Sequence, residues 1–311
     1  MIYTLTLNTA VDYTVYLPEK LRYGEVNRVN SEYLSAGGKG INCAVMLRRL
    51  GHDVTALGFA GGVTGEFVRD SLINEGVVCR LTETVSHTRI NMKTVCENVT
   101  EINGKGTGIT PNELDRLKDE LEKVTDAEFL TLSGSIPEGV PADIYVKIMK
   151  SAFAENIPVV LDAGGSILKE CLGYRPFLIK PNLTELSELS GEKITDIEEV
   201  TECAKAARAA GARNVLVSMG ADGALLCAQD GEIYSIPAVP VSVRSTVGCG
   251  DSMVAGFLHG YTESGNLSCA LRMACAAGSA TAASDGIAEG SHVEELYRVS
   301  AGTVIKNGVI V

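Results

Sequence analysis

Much of what this sequence could have carried is missing from it. Its nine cysteines form no C-x-x-C pair, and no cysteine–histidine cluster has zinc-binding spacing. An odd number of scattered thiols reads as reduced, mostly buried side chains of a cytoplasmic protein, not as a disulfide framework. Positive charge is scarce. Against 39 acidic residues stand 27 basic ones, a net charge of -12, which excludes nucleic acid and an anionic membrane surface as partners. No apolar run is long enough to span a bilayer. The opening Met1-Ile2-Tyr3-Thr4-Leu5-Thr6-Leu7 has no basic stretch or cleavage site, so it reads as a first strand rather than a signal peptide. The Walker A spacing G-x-x-x-x-G-K-S/T is absent, and no G-x-G-x-x-G follows a strand, so a Rossmann dinucleotide site is unsupported. Repeats, low-complexity tracts and disordered linkers are missing as well.

What is present is a long alternation of strand and helix. With 311 residues, 45% of them hydrophobic, the chain has material for one large domain with an insert, or for two domains. Strand-like runs at 54–60, 127–132, 158–161 and 214–217 alternate with helical patterns at 66–74, 142–154 and 167–172. Short Val/Ile/Leu-rich runs spaced by amphipathic helices predict a mostly parallel sheet covered on both faces, a three-layer α/β/α fold. Residues 270–283, rich in Ala and Gly, predict a helix packed closely on a neighbour. Two stretches, 27–34 and 88–95, have strand periodicity without a following crossover helix, and predict a small separate sheet serving as a lid. In the second, period two sends Arg89, Asn91 and Lys93 to one face and Ile90 and Met92 to the other. That polar face is either simply solvated or, with Arg28 and Lys39 beside the other lid strand, a local positive patch.

Two glycine-rich segments carry the chemistry. Ser245-Thr246-Val247-Gly248-Cys249-Gly250-Asp251-Ser252 opens a helix, and its glycines let consecutive amides and the helix dipole converge on an anion such as phosphate. Asp251 in that nest is either a helix cap or a base that takes a proton from whatever attacks the phosphate. Upstream, Ala36-Gly37-Gly38-Lys39-Gly40-Ile41-Asn42 joins close backbone approach to one charge and one amide. Asp12, placed by Asn8-Thr9-Ala10-Val11-Asp12 at the end of the first strand, is either an ordinary turn residue or an acceptor for sugar hydroxyls. Glu185 in Lys180-Pro181-Asn182-Leu183-Thr184-Glu185 is either a favourable helix-start acid or a carboxylate holding Mg²⁺ through water. The turn Ser218-Met219-Gly220-Ala221-Asp222-Gly223 offers bare backbone to a nucleotide.

AGGKGIN followed far downstream by STVGCGDS resembles the ribokinase-like, phosphofructokinase B sugar kinases. NTAVD, TRINMKT, SGSIP, KPNLTE and SMGADGA fall in the expected order, so the resemblance spans essentially the whole chain. Within the family TRINMKT, TEING and STVGCGDS look most like 1-phosphofructokinases, with tagatose-6-phosphate kinases close behind. The resemblance implies ATP-dependent phosphorylation of a ketohexose phosphate, most simply fructose 1-phosphate to fructose 1,6-bisphosphate. It implies that Asp251 is the base and that Gly248, Cys249 and Gly250 form the anion hole. Asp12, Gly38, Lys39 and Asn42 would hold the sugar, and Arg28, Arg89 and Ser135 the phosphate on it. Lys180, Asn182, Ser218, Gly220, Ala221, Asp222, Gly223, Thr246 and Ser279 would line the ATP site, with Glu185 positioning Mg²⁺. It further implies an α/β body from residues 1–8, 36–86 and 106–311, a β lid from 9–35 and 87–105, and a homodimer through that lid.

Three cations converging on one site favour an acceptor that already bears phosphate. Tagatose 6-phosphate, fructose 6-phosphate and unphosphorylated sugars are the rival acceptors. A non-catalytic sugar-phosphate sensor is the rival from another class, and an intact Asp251 between such glycines argues against it. Many relatives have Ala where Cys249 stands, and a thiol at a helix N-terminus is expected to ionise easily and react with electrophiles. Members activated by a monovalent cation often have Asp where this chain has Ser245, which argues against bound K⁺.

Overall fold

Strands and helices alternate throughout the computed structural model, which describes residues 1–106 and 108–310. The strands are β1 (Ile2–Thr6), β2 (Ala10–Tyr16), β3 (Ser31–Gly37), β4 (Val54–Gly61), β5 (Val78–Thr84), β6 (Arg89–Val95), β7 (Val99–Asn103) and β8 (Phe129–Ser133). They continue with β9 (Val159–Asp162), β10 (Leu178–Ile179), β11 (Asn214–Ser218), β12 (Ala224–Cys227), β13 (Ile233–Ile236), β14 (Ile305–Lys306) and β15 (Val309–Ile310). The helices are α1 (Lys39–Arg49), α2 (Gly62–Asn74), α3 (Pro111–Leu121), α4 (Ile144–Ala154) and α5 (Gly165–Cys171). After them come α6 (Leu183–Ser190), α7 (Ile197–Ala209), α8 (Cys249–Ser264), α9 (Leu267–Ala282) and α10 (Gly290–Val299).

The large sheet has the order β15-β14-β13-β12-β11-β10-β9-β8-β1-β4-β5. From β11 to β5 every neighbouring pair is parallel, while β12 to β15 extend one edge as antiparallel hairpins. Side chains alternate across it, so two separate cores form. Val160, Leu216 and Leu226 pack with α1, α8 and α9, whereas Leu161, Val217 and Leu225 pack with α4 and α7. This is the expected three-layer arrangement. After β1 the chain builds outward to β4 and β5, then returns to β8 on the other side of β1. The crevice at the carboxyl ends of β1 and β8 is the switch point where open α/β sheets bind ligands.

The small sheet has the order β3-β2-β6-β7. Two expectations about it are corrected. The strand expected at 27–34 begins only at Ser31 and runs to Gly37, and Arg28 lies in the exposed loop before it. A helix does follow, since α1 starts at Lys39, and it packs mainly on β1 and β4 of the large sheet while also touching β3. The 88–95 strand is found at Arg89–Val95, and its polar face is the inner one. Asn91 and Lys93 are 9% and 7% exposed, against 49% for Ile90. Solvation therefore does not account for the polar trio. The lid shows its apolar side to water instead.

The 270–283 helix is α9, and its neighbour is α8. A Cβ at Gly256 would stand 2.6 Å from Met273 O, and one at Gly260 would stand 2.9 Å from Ala270 Cα, so the two backbones touch. Ser252 Oγ and Thr281 Oγ1 are 2.8 Å apart and tie the pair near its upper end. No disulfide occurs among the described residues; all nine cysteines are free, and five are buried. No helix among the described residues is long and apolar enough to cross a membrane.

Candidate active site

The 245–252 segment does open a helix. Gly248, the residue ahead of α8, sits at φ 76°, a left-handed conformation that turns the chain so the amides of the first helical turn face one space. A Cβ at Gly250 would lie 2.9 Å from Lys180 Nζ, so the absence of a side chain lets an ammonium come up against the turn. Asp251, in the first turn, is buried and accepts a 2.8 Å hydrogen bond from Asn42 Nδ2. Burial, reinforced by the nearby Asp162 carboxylate, pushes its carboxyl up to about 6, against the pull of Asn42, Lys39 and Lys180. A carboxylate of that affinity can accept a proton near neutral pH, which a surface capping aspartate does poorly.

Behind it lies a charge network that the sequence reading missed. Asp162 ends β9 and is 3% exposed. Lys39 Nζ donates to its Oδ1 at 2.9 Å, and Lys180 Nζ stands at 3.7 Å from the same oxygen. The two ammonium groups hold its carboxyl below the usual range despite full burial. Lys39 also lies 3.7 Å from Glu185 Oε1, and these acids raise it above an ordinary lysine. Glu185 and Asn182 form a reciprocal cap on α6: Glu185 N donates to Asn182 Oδ1 at 2.8 Å, and Asn182 N donates to Glu185 Oε2 at 2.9 Å. The structure thus shows the helix-start reading of Glu185, with Oε1 left outside the cap and directed at Lys39.

These groups line a cleft of about 820 Å³. Lys180, Asn182, Ser218, Gly220, Ala221, Gly223, Thr246 and Ser279 all face it, as do Lys39, Glu185 and the 248–251 turn. Its far wall is apolar, with Val239, Val241, Val243 and Met253. Asp222, expected among them, is exposed in its turn and does not line the cleft.

The sugar-side candidates separate into two groups. Asp12 is the third residue of lid strand β2, not the end of β1, and its Oδ1 accepts from Asn91 Nδ2 at 2.9 Å. That leaves Asn91 Oδ1 buried without a partner, an unused acceptor beside Asp12. Gly37 is required there, since its Cβ would sit 2.5 Å from Asp12 Oδ2. Gly38, at φ 111°, turns the chain from β3 into α1 and so presents Lys39 and Asn42. Asp12 and Asn42 both reach a second cavity, of about 440 Å³.

The other group gathers on Asn8. Its side chain donates to Ser135 Oγ at 3.0 Å, and its carbonyl accepts from Arg89 at 3.0 Å. Arg89 also donates to Gly104 O at 3.0 Å, so Arg89 and Ser135 lie against the backbone and the side chain of Asn8 respectively. The expected trio of cations does not form. Arg28 stays in its exposed loop, and Lys39 points into the acidic network of the cleft. Lys93, on the buried face of β6, has no ion-pair partner among the described residues.

One further expectation is reversed. Cys249 is part-buried behind the turn, its Sγ 3.7 Å from Ser245 O. Burial and the Asp251 carboxylate push the thiol up to about 11, so it is not an easily ionised nucleophile.

The sequence profile of the pfkB family carbohydrate kinases matches residues 5–293. The chain is 38% identical over 296 residues to a 1-phosphofructokinase of Bacillus subtilis, covering 95% of this chain and 97% of that one. It is 39% identical to a D-tagatose-1-phosphate kinase of Bacillus licheniformis over the same shares. The crystal structure of phosphofructokinase-2 from Escherichia coli in complex with substrates and products superposes with a TM-score of 0.91 at 29% identity, covering 96% and 99% of the two chains. The ribokinase-like architecture expected from the motifs is thus present.

Proposed function

The chain belongs to the pfkB family of carbohydrate kinases, and from that premise we propose that it phosphorylates fructose 1-phosphate with ATP, giving fructose 1,6-bisphosphate. The observation that carries this reading is the buried Asp251, pushed up to about 6 and held by Asn42 at the mouth of an amide nest. ATP lies in the 820 Å³ cleft with its base against the valine-rich wall and its phosphates toward Lys39, Lys180 and the 248–251 turn. The acceptor lies under the lid, its hydroxyls meeting Asp12, Asn91 and Asn42. Buried Lys93, with Arg89 and Ser135 both held on Asn8, favours an acceptor that already carries phosphate.

In the reaction, Asp251 takes the proton of the free primary hydroxyl. That oxygen forms a bond to the γ-phosphorus as the bond to the β–γ bridging oxygen breaks, and ADP leaves. The amides of Gly248, Cys249 and Gly250 stabilise charge on the moving phosphoryl group, and Lys39 and Lys180 flank it. Glu185 lines the cleft with Oε1 outside its helix cap, so it would hold Mg²⁺ through water; when bound, the ion would neutralise phosphate charge. The lid excludes water that would otherwise compete as acceptor.

A second acceptor has its own support, the relative named D-tagatose-1-phosphate kinase. Tagatose 1-phosphate differs from fructose 1-phosphate only in the configuration at one carbon, so it replaces tagatose 6-phosphate as the sharper rival. ADP release measured with fructose 1-phosphate, tagatose 1-phosphate and fructose 6-phosphate ranks the acceptors by kcat/KM. A fructose 1-phosphate value below either rival refutes the assignment. Turnover with none of them would revive the sensor reading.

The same reading extends to assembly. Leu34, Ile90 and Ile102 leave the lid with an outward apolar face, 48–59% exposed residue by residue. A face of this kind is expected to be covered, and a second copy of the lid covers it most simply. Analytical ultracentrifugation of the wild type and of Ile90→Glu tests this. A monomeric wild type sinks it.

A further inference from the structure

At the end of the sheet away from Asp251, three side chains converge that neither the sequence spacing nor the phosphoryl-transfer site accounts for. His52 lies in the turn between α1 and β4, and His259 and Glu263 lie one turn apart on the second half of α8. His52 Nε2 and His259 Nδ1 are 2.9 Å apart, with the rings nearly perpendicular at 82°. One donor atom from each of the three residues falls within 4.8 Å of the others. From these juxtaposed donors we propose that His52, His259 and Glu263 bind a divalent transition metal ion, zinc by the nature of its donors.

The plainer account is a hydrogen-bonded pair of neutral imidazoles with a solvated glutamate beside it. A tetrahedral zinc with nitrogen ligands at about 2.05 Å needs its two nitrogens about 3.3 Å apart, so the pair must open by about 0.4 Å and each ring must turn by about 35° to aim its lone pair at the ion. Glu263 is exposed at the end of a flexible side chain and can close on the same point. Both histidines are part-buried, which favours the neutral imidazole a metal requires. Metal entry then needs a change of tautomer: each ring keeps one proton, on the nitrogen turned away from the ion. The charged groups near the pair are Glu128 with the Met1 ammonium and Asp53 with Arg48 beside His52, Arg48 also donating to His52 O, and Glu294 with Arg298 beside His259. Their sum, with Glu263, is negative and attracts a cation. Two imidazoles and one carboxylate leave a fourth position to water.

The position in the fold gives the site a role. α1 and α8 are already joined at the active end by the bond from Asn42 to Asp251. A metal at His52 and His259 fastens the same two helices at their other ends. It fixes the angle at which α8 delivers the base, without touching any substrate.

The test uses the full chain, stripped with a chelator and free of nucleotide, so it is independent of the kinase assignment. Co²⁺ is titrated while visible absorption is followed, and Zn²⁺ affinity is read by displacement. One equivalent should bind with the spectrum of a nitrogen- and oxygen-ligated ion, and it should raise the melting temperature. His259→Ala should weaken binding by more than about 100-fold, beyond the usual effect of losing a supporting hydrogen bond to a ligand. Glu263→Gln, at an exposed position that leaves folding intact, should weaken it less. The proposal is overturned if no single equivalent binds, if thiolate charge-transfer bands show cobalt on cysteine, or if His52→Gln and Glu263→Gln bind as the wild type does.

Discussion

Replacing Asp251 by asparagine should stabilise the protein while it removes catalysis. The carboxyl is held at about 6 in the folded chain, against 3.8 for the free group, because it is buried close to Asp162. An acid whose folded affinity for protons exceeds its unfolded one destabilises the fold at every pH where it is ionised. The penalty is absent below about pH 4, grows as pH rises toward 6, and is constant above. About two units correspond to roughly 3 kcal/mol, at 1.36 kcal/mol per unit. Asparagine is isosteric, carries no charge, and keeps an oxygen that can accept from Asn42. At about 2 °C per kcal/mol for a chain of this size, the melting temperature should rise by roughly 6 °C at pH 7.5. Thermal unfolding of both proteins from pH 4 to pH 8, with kcat measured alongside, provides the assay. kcat should fall by ~10²–10⁴. A variant that folds but melts at or below the wild type at pH 7.5 would falsify the electrostatic account, as would a gain that does not shrink toward pH 4.

Other consequences are simpler to measure. The acid limb of the kcat/KM profile should bend near pH 6, because Asp251 must be ionised to accept a proton; activity undiminished at pH 5 would point to another base. Gly250→Ala should keep the fold but displace Lys180, whose Nζ would stand 2.9 Å from the new Cβ, and should lower kcat by ~10²-fold. Unaltered turnover would mean that Lys180 does not act at the phosphoryl group. Iodoacetamide at pH 7 should leave activity intact for as long as Cys249 stays a thiol, and labelling there should quicken only as pH nears 11. Rapid inactivation at neutral pH, traced to Cys249, would overturn that assignment.

The parts of the site made from backbone were the most legible in the sequence. A nest at Gly248 and Gly250 or a turn at Gly38 needs glycine at fixed positions, so the requirement is written locally. Asp162 left no such mark. VVLD is an ordinary strand end, and the residue gains its role only because β9 lies between β8 and β10, which brings Lys39 and Lys180 to it from distant segments. The same blindness produced the false trio of cations. Placing Arg28, Lys39 and Arg89 together assumed that a lysine near a lid serves the lid, whereas the acids that claim Lys39 lie on β9 and α6. Period two in β6 correctly split polar from apolar residues, but it could not say which face looked inward. Ordinary burial would have hidden Ile90. A polar cavity below the strand and an apolar face above it reverse that choice.

The contact between Gly256, Gly260 and α9 bears on which half of the molecule moves. Asp251 lies in the first turn of α8, and Ser279, on α9, lines the 820 Å³ cleft proposed for ATP. Two helices whose backbones touch cannot slide past each other without collision, so Asp251 and the α9 wall of the cleft share one rigid frame. Their separation is fixed when the chain folds and does not wait for a ligand. On the proposed reading, adjustment during turnover then falls to the lid side, where the acceptor would sit.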